Sequence, residues 1–385
     1  MRVLILSVTA GGGHNSTAQA IKTVLDNHAV ECRILDTFEY ISKPLAKTVS
    51  EGYLFITSKA KLAFEEGYRL AERRKRTADE KSNTRRNAKL LSRKLRRYLV
   101  IYDPDVIIYT HIFAGVILDV IKAEHGLRAK TVGILTDFVF HPYWEEAVHL
   151  DYVVTACDQL GYQAKKKGFS PEQILPMGIP VQEKFTAHTD AGEVRAELGL
   201  DREKTTLLLM GGSMGYGNIA ATVESLYALD ADFQLIVVCG SNEKAKEEVD
   251  ALPHKKPTVT FGWSREVDRL MDAADLIITK PGGLTTSESL AKRLPMIIVN
   301  PIPGQEDRNT EFLLNQGAAL AVTDTFPLDE AVWSLLSSPE RVALMRAAID
   351  RIRRPNASAD IARFVMQLGE VNEQVKLHAQ MNHQS

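Results

Sequence analysis

Short apolar runs recur along this chain, each separated from the next by a mixed polar stretch long enough for a helix. In the first half they fall at residues 3–8, 32–35, 106–109, 131–135 and 152–155. In the second half they fall at 206–210, 234–238, 259–261, 276–279, 296–299 and 320–322. Runs this short are strand-sized, and a strand that is apolar throughout keeps no face for water. Such strands alternating with helical segments predict an α/β chain of doubly wound parallel sheets covered on both faces. Gly168, Pro171, Pro176, Gly178 and Pro180 cluster between the two series, so the chain is expected to divide into residues 1–170 and 171–355. Arg354-Pro355 marks another break, after which a helix over about 356–375 is expected to return to the first domain.

Two of the strands run straight into glycine-rich turns that open helices. Residues 3–8 lead to Gly11-Gly12-Gly13-His14, and 206–210 lead to Gly211-Gly212-Ser213-Met214-Gly215. A strand, a glycine turn and a helix start aim backbone N–H groups and the positive helix end at one spot, which suits phosphate; a tight turn with no ligand is the alternative. Gly215 also opens a G-x-G-x-x-A match, but the next strand ends at Val238-Cys239-Gly240 without the acid that a dinucleotide ribose wants. Ligands of open parallel sheets bind at the carboxyl ends of the strands, so residues just after strands carry the most information.

Two further loops obey that rule in the second half. Lys280-Pro281-Gly282-Gly283-Leu284-Thr285 follows the strand at 276–279, and Glu288 lies in the first turns of the helix it opens. A carboxylate there could accept hydrogen bonds from ribose hydroxyls, or serve only the helix dipole. Pro303-Gly304-Gln305-Glu306-Asp307 follows the strand at 296–299, and such a mixture of donors and acceptors suits the hydroxyls of a sugar as well as it suits a solvated turn.

In the first half, His14 opens the helix expected over 16–25. The positive helix end disfavours imidazolium, so a neutral ring able to take a proton is expected, with a cap or phosphate contact as the alternative. Thr136-Asp137-Phe138 follows the strand at 131–135, with His141 and Trp144 close behind. Asp137 falls on the same rim as His14, where it could orient a base, be one, or simply cap a turn.

Composition is that of an ordinary globular chain of two domains: 385 residues, 45% hydrophobic, 25% charged, net charge −2. No apolar run is long enough to span a bilayer, and residues 3–8 are too short for a signal-peptide core. Cys32, Cys157 and Cys239 are scattered, giving neither a disulfide framework nor metal-ligand spacing, so a reducing cytoplasm is the expected compartment. The even net charge hides one asymmetry. Residues 69–97 hold thirteen Lys or Arg against three Asp or Glu. Leu91, Leu95 and Tyr98 fall at helical spacing with Arg93, Lys94, Arg96 and Arg97 between them, after a loop expected at 77–87. That pattern predicts a basic amphipathic helix, either a solvated face or one drawn to anionic lipid. No nucleic-acid recognition motif accompanies it.

Taken in order, Gly12-Gly13-His14, Thr136-Asp137-Phe138 with His141 and Trp144, Gly178-Ile179-Pro180, Gly211-Gly212-Ser213, Pro281-Gly282-Gly283 with Glu288, and Pro303-Gly304-Gln305-Glu306 give the chain a family likeness. It resembles the diacylglycerol glycosyltransferases, monogalactosyldiacylglycerol synthases among them, and is more distantly similar to the GlcNAc transferase of peptidoglycan synthesis. The resemblance implies a GT-B fold, two Rossmann-like domains facing a cleft, with the acceptor held by the first and a UDP-hexose by the second. It implies inverting transfer to diacylglycerol or a similar lipid without metal or other cofactor, at the inner face of the cell membrane. Asp103-Pro104-Asp105 precedes its strand and so lies on the wrong edge to hold a diphosphate through a metal. By the resemblance, His14 and Asp137 are the base candidates, and Glu288 binds ribose. Gln305 and Glu306 bind the donor sugar. Gly211, Gly212, Ser213, Gly215, Gly282 and Gly283 face the diphosphate, Gly13, Leu284 and Thr285 also contact the nucleotide sugar, and Phe261, Gly262 and Trp263 lie beside the uracil. Arg93, Lys94, Arg96, Arg97, His141 and Trp144 meet the membrane and acceptor, as does the loop from about residue 53 to 97. Another lipid or non-lipid acceptor, or a nucleotide-sugar-binding regulator, is the alternative.

Overall fold

The computed structural model describes residues 1–9, 12–48, 78–212, 214–215 and 217–382. The chain forms two compact units, one of Met1–Gln182 with Asn356–Ser385 and one of Glu183–Pro355. In the first, strands β1 (Arg2–Ser7), β2 (Glu31–Asp36), β3 (Val106–Tyr109), β4 (Lys130–Ile134), β5 (Tyr152–Val154) and β6 (Ile174–Leu175) form one parallel sheet in the order β2-β1-β3-β4-β5-β6. Val3 pairs with Val106, and Val106 with Lys130. One side chain in two along β1, β3 and β4 (Val3, Ile5, Val106, Ile108, Val132, Ile134) joins a core with Ala18, Ile21 and Leu25 of the helix Gly13–Asn27 and Ile361 and Val365 of the helix Ala357–Asn382.

The first unit runs on to Gln182, past the expected boundary at 170, because Ile174–Leu175 adds an edge strand to β5. Two residues inside a cluster of glycines and prolines carry no legible strand signal; backbone pairing makes the strand, with Thr155 N–H donating to Leu175 O and Gly178 N–H to Thr155 O. The last helix docks on this unit through specific polar bonds as well as its apolar face. Ser358 Oγ donates to Val181 O at 2.6 Å, and Asn372 Nδ2 to Asp105 O at 2.9 Å.

The basic segment is helical from Ala78 to Tyr102, so residues 78–87 are not the loop expected there. Contacts to the helix Ile112–His125 hold that first part: Arg85 pairs with the fully buried Asp119 at 2.9 Å, and Lys89 with Glu124 at 2.7 Å. Residues 53–77 of the expected membrane loop lie outside the described residues, as do Gly11 and Ser213.

In the second unit, β7 (Thr206–Met210), β8 (Gln234–Val238), β9 (Thr258–Phe261), β10 (Leu276–Thr279), β11 (Met296–Ile298) and β12 (Ala319–Ala321) form a parallel sheet in the order β12-β11-β10-β7-β8-β9. Leu207, Leu209, Leu235, Val237, Ile278 and Ile297 pack on Ile219, Val223 and Leu226 of the helix Ile219–Ala228. In each sheet the winding reverses beside the first strand, between β1 and β3 and between β7 and β10. The loops leaving those strands therefore diverge and open a crevice at the sheet's carboxyl rim.

Candidate active site

At the first rim, His14 occupies the first turn of the helix Gly13–Asn27, whose cap Gly12 offers no side chain and whose first turn has no acid. Its Nδ1 lies 2.6 Å from the carbonyl oxygen of Thr110, the residue after β3. A carbonyl only accepts, so Nδ1 carries the proton and Nε2 presents a lone pair. Burial, the largest influence, pulls the His14 pKa down to about 4 against the opposing pull of the Thr110 bond. The ring is thus neutral as expected, chiefly through desolvation rather than the helix end alone. Thr136 Oγ1 links His14 to Asp137, at 3.4 Å from His14 Nδ1 and 3.5 Å from Asp137 Oδ2. Asp137 itself is buried.

Two more histidines share this rim in the opposite tautomer. His111 caps the helix Ile112–His125, its Nδ1 accepting the Phe113 N–H at 3.2 Å. His141 caps the turn Pro142–Glu146 in the same way, its Nδ1 accepting the Tyr143 N–H at 3.3 Å. A neutral ring that accepts at Nδ1 carries its proton on Nε2. Burial, then the neighbouring His14 and His141, hold the His111 pKa well below the usual imidazole range. The His111 ring meets His14 edge-on at 4.7 Å, and Tyr143 stacks on His141 at 5.2 Å.

Trp144, expected to face the acceptor, does not. It is buried against Tyr109, Phe140 and Phe169, because the tight turn Pro142–Glu146 leaves Tyr143 half-buried beside His141 and drives Trp144 into the core. Arg93, Lys94, Arg96 and Arg97 are exposed, while Leu95, Leu99 and Tyr102 are buried along the inner side of their helix. The outer side also carries Leu90, Val100 and Ile101, 76%, 71% and 82% exposed.

At the second rim, Gly211 and Gly212 leave β7 and Lys280 leaves β10. Gly212 has φ +73°, a left-handed conformation that favours glycine, and the end of the Lys280 side chain passes close to where a Cβ would lie. Gly215 is required for another reason: its Cβ would strike the carbonyl of Cys239. The helix Gly283–Ala291 starts at Gly282 with no side-chain cap and no acid in its first turn, leaving the N–H groups of Gly283, Leu284 and Thr285 for a ligand. The Lys280 ammonium sits 2.6 Å from Glu306 Oε1, and Glu306 Oε2 accepts the Ile302 N–H at 2.7 Å. Glu306 is therefore braced on both oxygens, and any sugar contact uses their remaining lone pairs. Gln305 begins the helix Gln305–Gln316 beside it.

Glu288 is half-buried on the helix Gly283–Ala291. Burial pushes its pKa up to about 8, with Lys184 pulling down and Asp268 pushing up. Burial thus favours the neutral carboxyl, able to donate as well as accept, over the carboxylate. Phe261 ends β9 with Gly262 after it, and Trp263 is 64% exposed. Sequence reasoning missed Thr110 and His111, although they follow β3 as Asp137 follows β4, and gave Lys280 no role.

Residues 14–181 match the monogalactosyldiacylglycerol (MGDG) synthase family, and residues 206–361 match the glycosyltransferase family 28 C-terminal domain. The processive diacylglycerol beta-glucosyltransferase of Bacillus pumilus (strain SAFR-032) is 26% identical over 384 residues, 98% of each chain. Its counterpart in Bacillus cytotoxicus is 28% identical over 387 residues, 99% of this chain and 95% of that one. Among solved structures, Acinetobacter baumannii MurG has a TM-score of 0.62 at 15% identity, covering 95% of this chain and 99% of its own. The spinosyn rhamnosyltransferase SpnG has a TM-score of 0.60 at 12% identity, covering 94% and 100%. The chain thus carries an MGDG synthase domain followed by a glycosyltransferase family 28 C-terminal domain, shares the GT-B fold of its structural neighbours, and is similar over its whole length to diacylglycerol glucosyltransferases.

Proposed function

We propose that this chain transfers a hexose from a UDP-sugar to the free hydroxyl of diacylglycerol, with inversion and without a metal. The observation that carries this reading is the fixed tautomer of His14, which presents a lone pair at the carboxyl rim of its sheet. The acceptor oxygen bonds to the anomeric carbon, its proton passes to His14 Nε2, and the bond from that carbon to the UDP oxygen breaks with its electron pair going to UDP. Asp137 supports the base through Thr136. The negative charge that gathers on UDP falls to the amides of Gly211, Gly212, Gly283, Leu284 and Thr285 and to Lys280, fixed dipoles and one cation in place of a divalent ion. Glu288 serves the ribose, Gln305 and Glu306 the sugar, and the Phe261–Trp263 segment the uracil.

The relatives' activity as processive diacylglycerol beta-glucosyltransferases supports glucose as the sugar and repeated transfer as the outcome. Among the described residues no helix is long and apolar enough to cross a membrane. We assign the exposed Arg93, Lys94, Arg96 and Arg97, with Leu90, Val100 and Ile101, to the anionic inner surface of the membrane, reached from the cytoplasm. UDP release from UDP-glucose and from UDP-galactose, each with and without diacylglycerol in anionic micelles, tests the reaction. Release that needs diacylglycerol and one of the two sugars is expected. Release independent of diacylglycerol, or none with either donor, overturns it in favour of another acceptor or a binding role.

A further inference from the structure

We propose that His111 recognises the acceptor: its Nε2–H donates a hydrogen bond to an ester carbonyl oxygen next to the hydroxyl that His14 deprotonates. This rests on the acceptor reading above and goes beyond it by naming the residue and the atom it reads. Thr110 and His111 are consecutive at the end of β3, where the winding of the sheet reverses. Thr110 fixes the base, and the next side chain lies edge-on to the same imidazole at 4.7 Å. One dipeptide thereby sets two neighbouring rings in opposite tautomers, with the acceptor of one at His14 Nε2 and the donor of the other at His111 Nε2. The pair matches a molecule with a hydroxyl on one carbon and a carbonyl-bearing oxygen on the next.

The tautomer of His111 follows from its cap bond to the Phe113 N–H, which occupies Nδ1 and leaves the proton on Nε2. Among the described residues Nε2 has no hydrogen-bond partner, although the ring is partly buried between Phe38 at 6.5 Å and Phe113 at 5.4 Å. A donor with no protein partner on a partly buried ring is available to a ligand oxygen. The walls say what else the ligand carries. Phe38 also lines a cavity of about 210 Å³ in which Val8 and Ala46 supply apolar surface beside Thr9 and the charged Asp36, Glu39 and Lys47, so a ligand held there meets both apolar and polar walls. A neutral N–H between aromatic rings fits an uncharged carbonyl better than a phosphate oxygen, which would favour a cation.

The test compares 1,2-diacylglycerol with 1,2-dialkylglycerol, which keeps the hydroxyl but lacks the carbonyls, in the same micelles with the full-length enzyme. Wild type is expected to favour the ester about tenfold in kcat/KM, the worth of one neutral hydrogen bond. His111→Asn keeps a good helix cap, since Asn accepts the same N–H, but removes the ring donor. It should lose most of that preference by raising the KM for the ester alone, with UDP affinity and Tm close to wild type. A wild type that treats the two acceptors alike overturns the proposal, whatever the variant does. So does a His111→Asn enzyme that is slower with both by the same factor, the signature of a structural role. A wild type that binds UDP but transfers to neither acceptor overturns the acceptor reading itself, a result distinct from an active enzyme blind to the ester.

Discussion

At the rim of the first sheet three imidazoles meet among aromatic rings; at the rim of the second, two glycine turns flank one lysine held by one carboxylate. Both rims are made the same way, by loops leaving the strands where the winding of a parallel sheet reverses. Their chemistry differs because the local electrostatics differ. In the first unit burial and backbone caps keep His14 and His111 neutral and fix where each proton sits. In the second, an uncapped helix start and the Lys280 ammonium concentrate positive potential. The topology supplies two equivalent places, one lined by neutral imidazoles and the other by glycine turns and a lysine–carboxylate pair.

The largest effect should come from removing the proton acceptor. His14→Ala is expected to lower kcat by about 10²–10⁴-fold while the Kd for UDP stays within about twofold of wild type. Titration of UDP into the variant checks this, and a parallel loss of UDP affinity would break the division between the rims. Replacing Arg93, Lys94, Arg96 and Arg97 with Gln should weaken sedimentation with anionic vesicles by about a hundredfold or more, at about 1 kcal/mol per charge, and leave zwitterionic vesicles unaffected. Equal binding to both would mean a merely solvated helix face.

Glu288→Ala should raise the donor KM about tenfold, and Glu288→Gln should stay near wild type at pH 7, since the amide mimics a neutral carboxyl. With the pKa pushed up to about 8, wild-type UDP affinity should decline above that pH and that of Glu288→Gln should not. The sign for stability is the same: the unfolded carboxyl ionises near its ordinary 4.5, so this group's contribution is full below 4.5 and lost as pH rises through 8. The smallest effect concerns the first rim in acid. With the His14 pKa near 4, kcat/KM should fall by less than about twofold between pH 7 and 5.5. From 6.5 down to 4 the unfolded chain takes up a proton that folded His14 refuses, so His14 subtracts stability over that window. An activity limb near 6.5 would place His14 in water and erase the contrast.

Much of this was legible because it depends on local signals. Apolar runs marked eleven strands, and the glycine turns marked where two of them open helices. The strand-end rule then singled out His14, Asp137, Glu288, Gln305 and Glu306. The same rule applies to Thr110 and His111 after β3, yet neither was singled out, because nothing local distinguishes a ligand-facing histidine from the helix cap that His111 also is. Trp144 misled because an aromatic near a rim looks alike whether it faces a ligand or the core; the geometry of one tight turn decided it. Strand β6 was invisible because pairing with β5, not its own two side chains, makes it a strand.

The sequence by itself determined the alternation of strand and helix, the glycine turns after two of the strands, and the residue types available at each strand end. These depend on side-chain size and short-range periodicity, which a chain carries before it folds. Only the tertiary structure decided which nitrogen of each histidine holds the proton, that burial raises the pKa of Glu288, and that Lys280 leans on Glu306. Protonation and pairing depend on desolvation and on partners far away in the chain, such as Thr110 for His14, and those are set only when the sheets close.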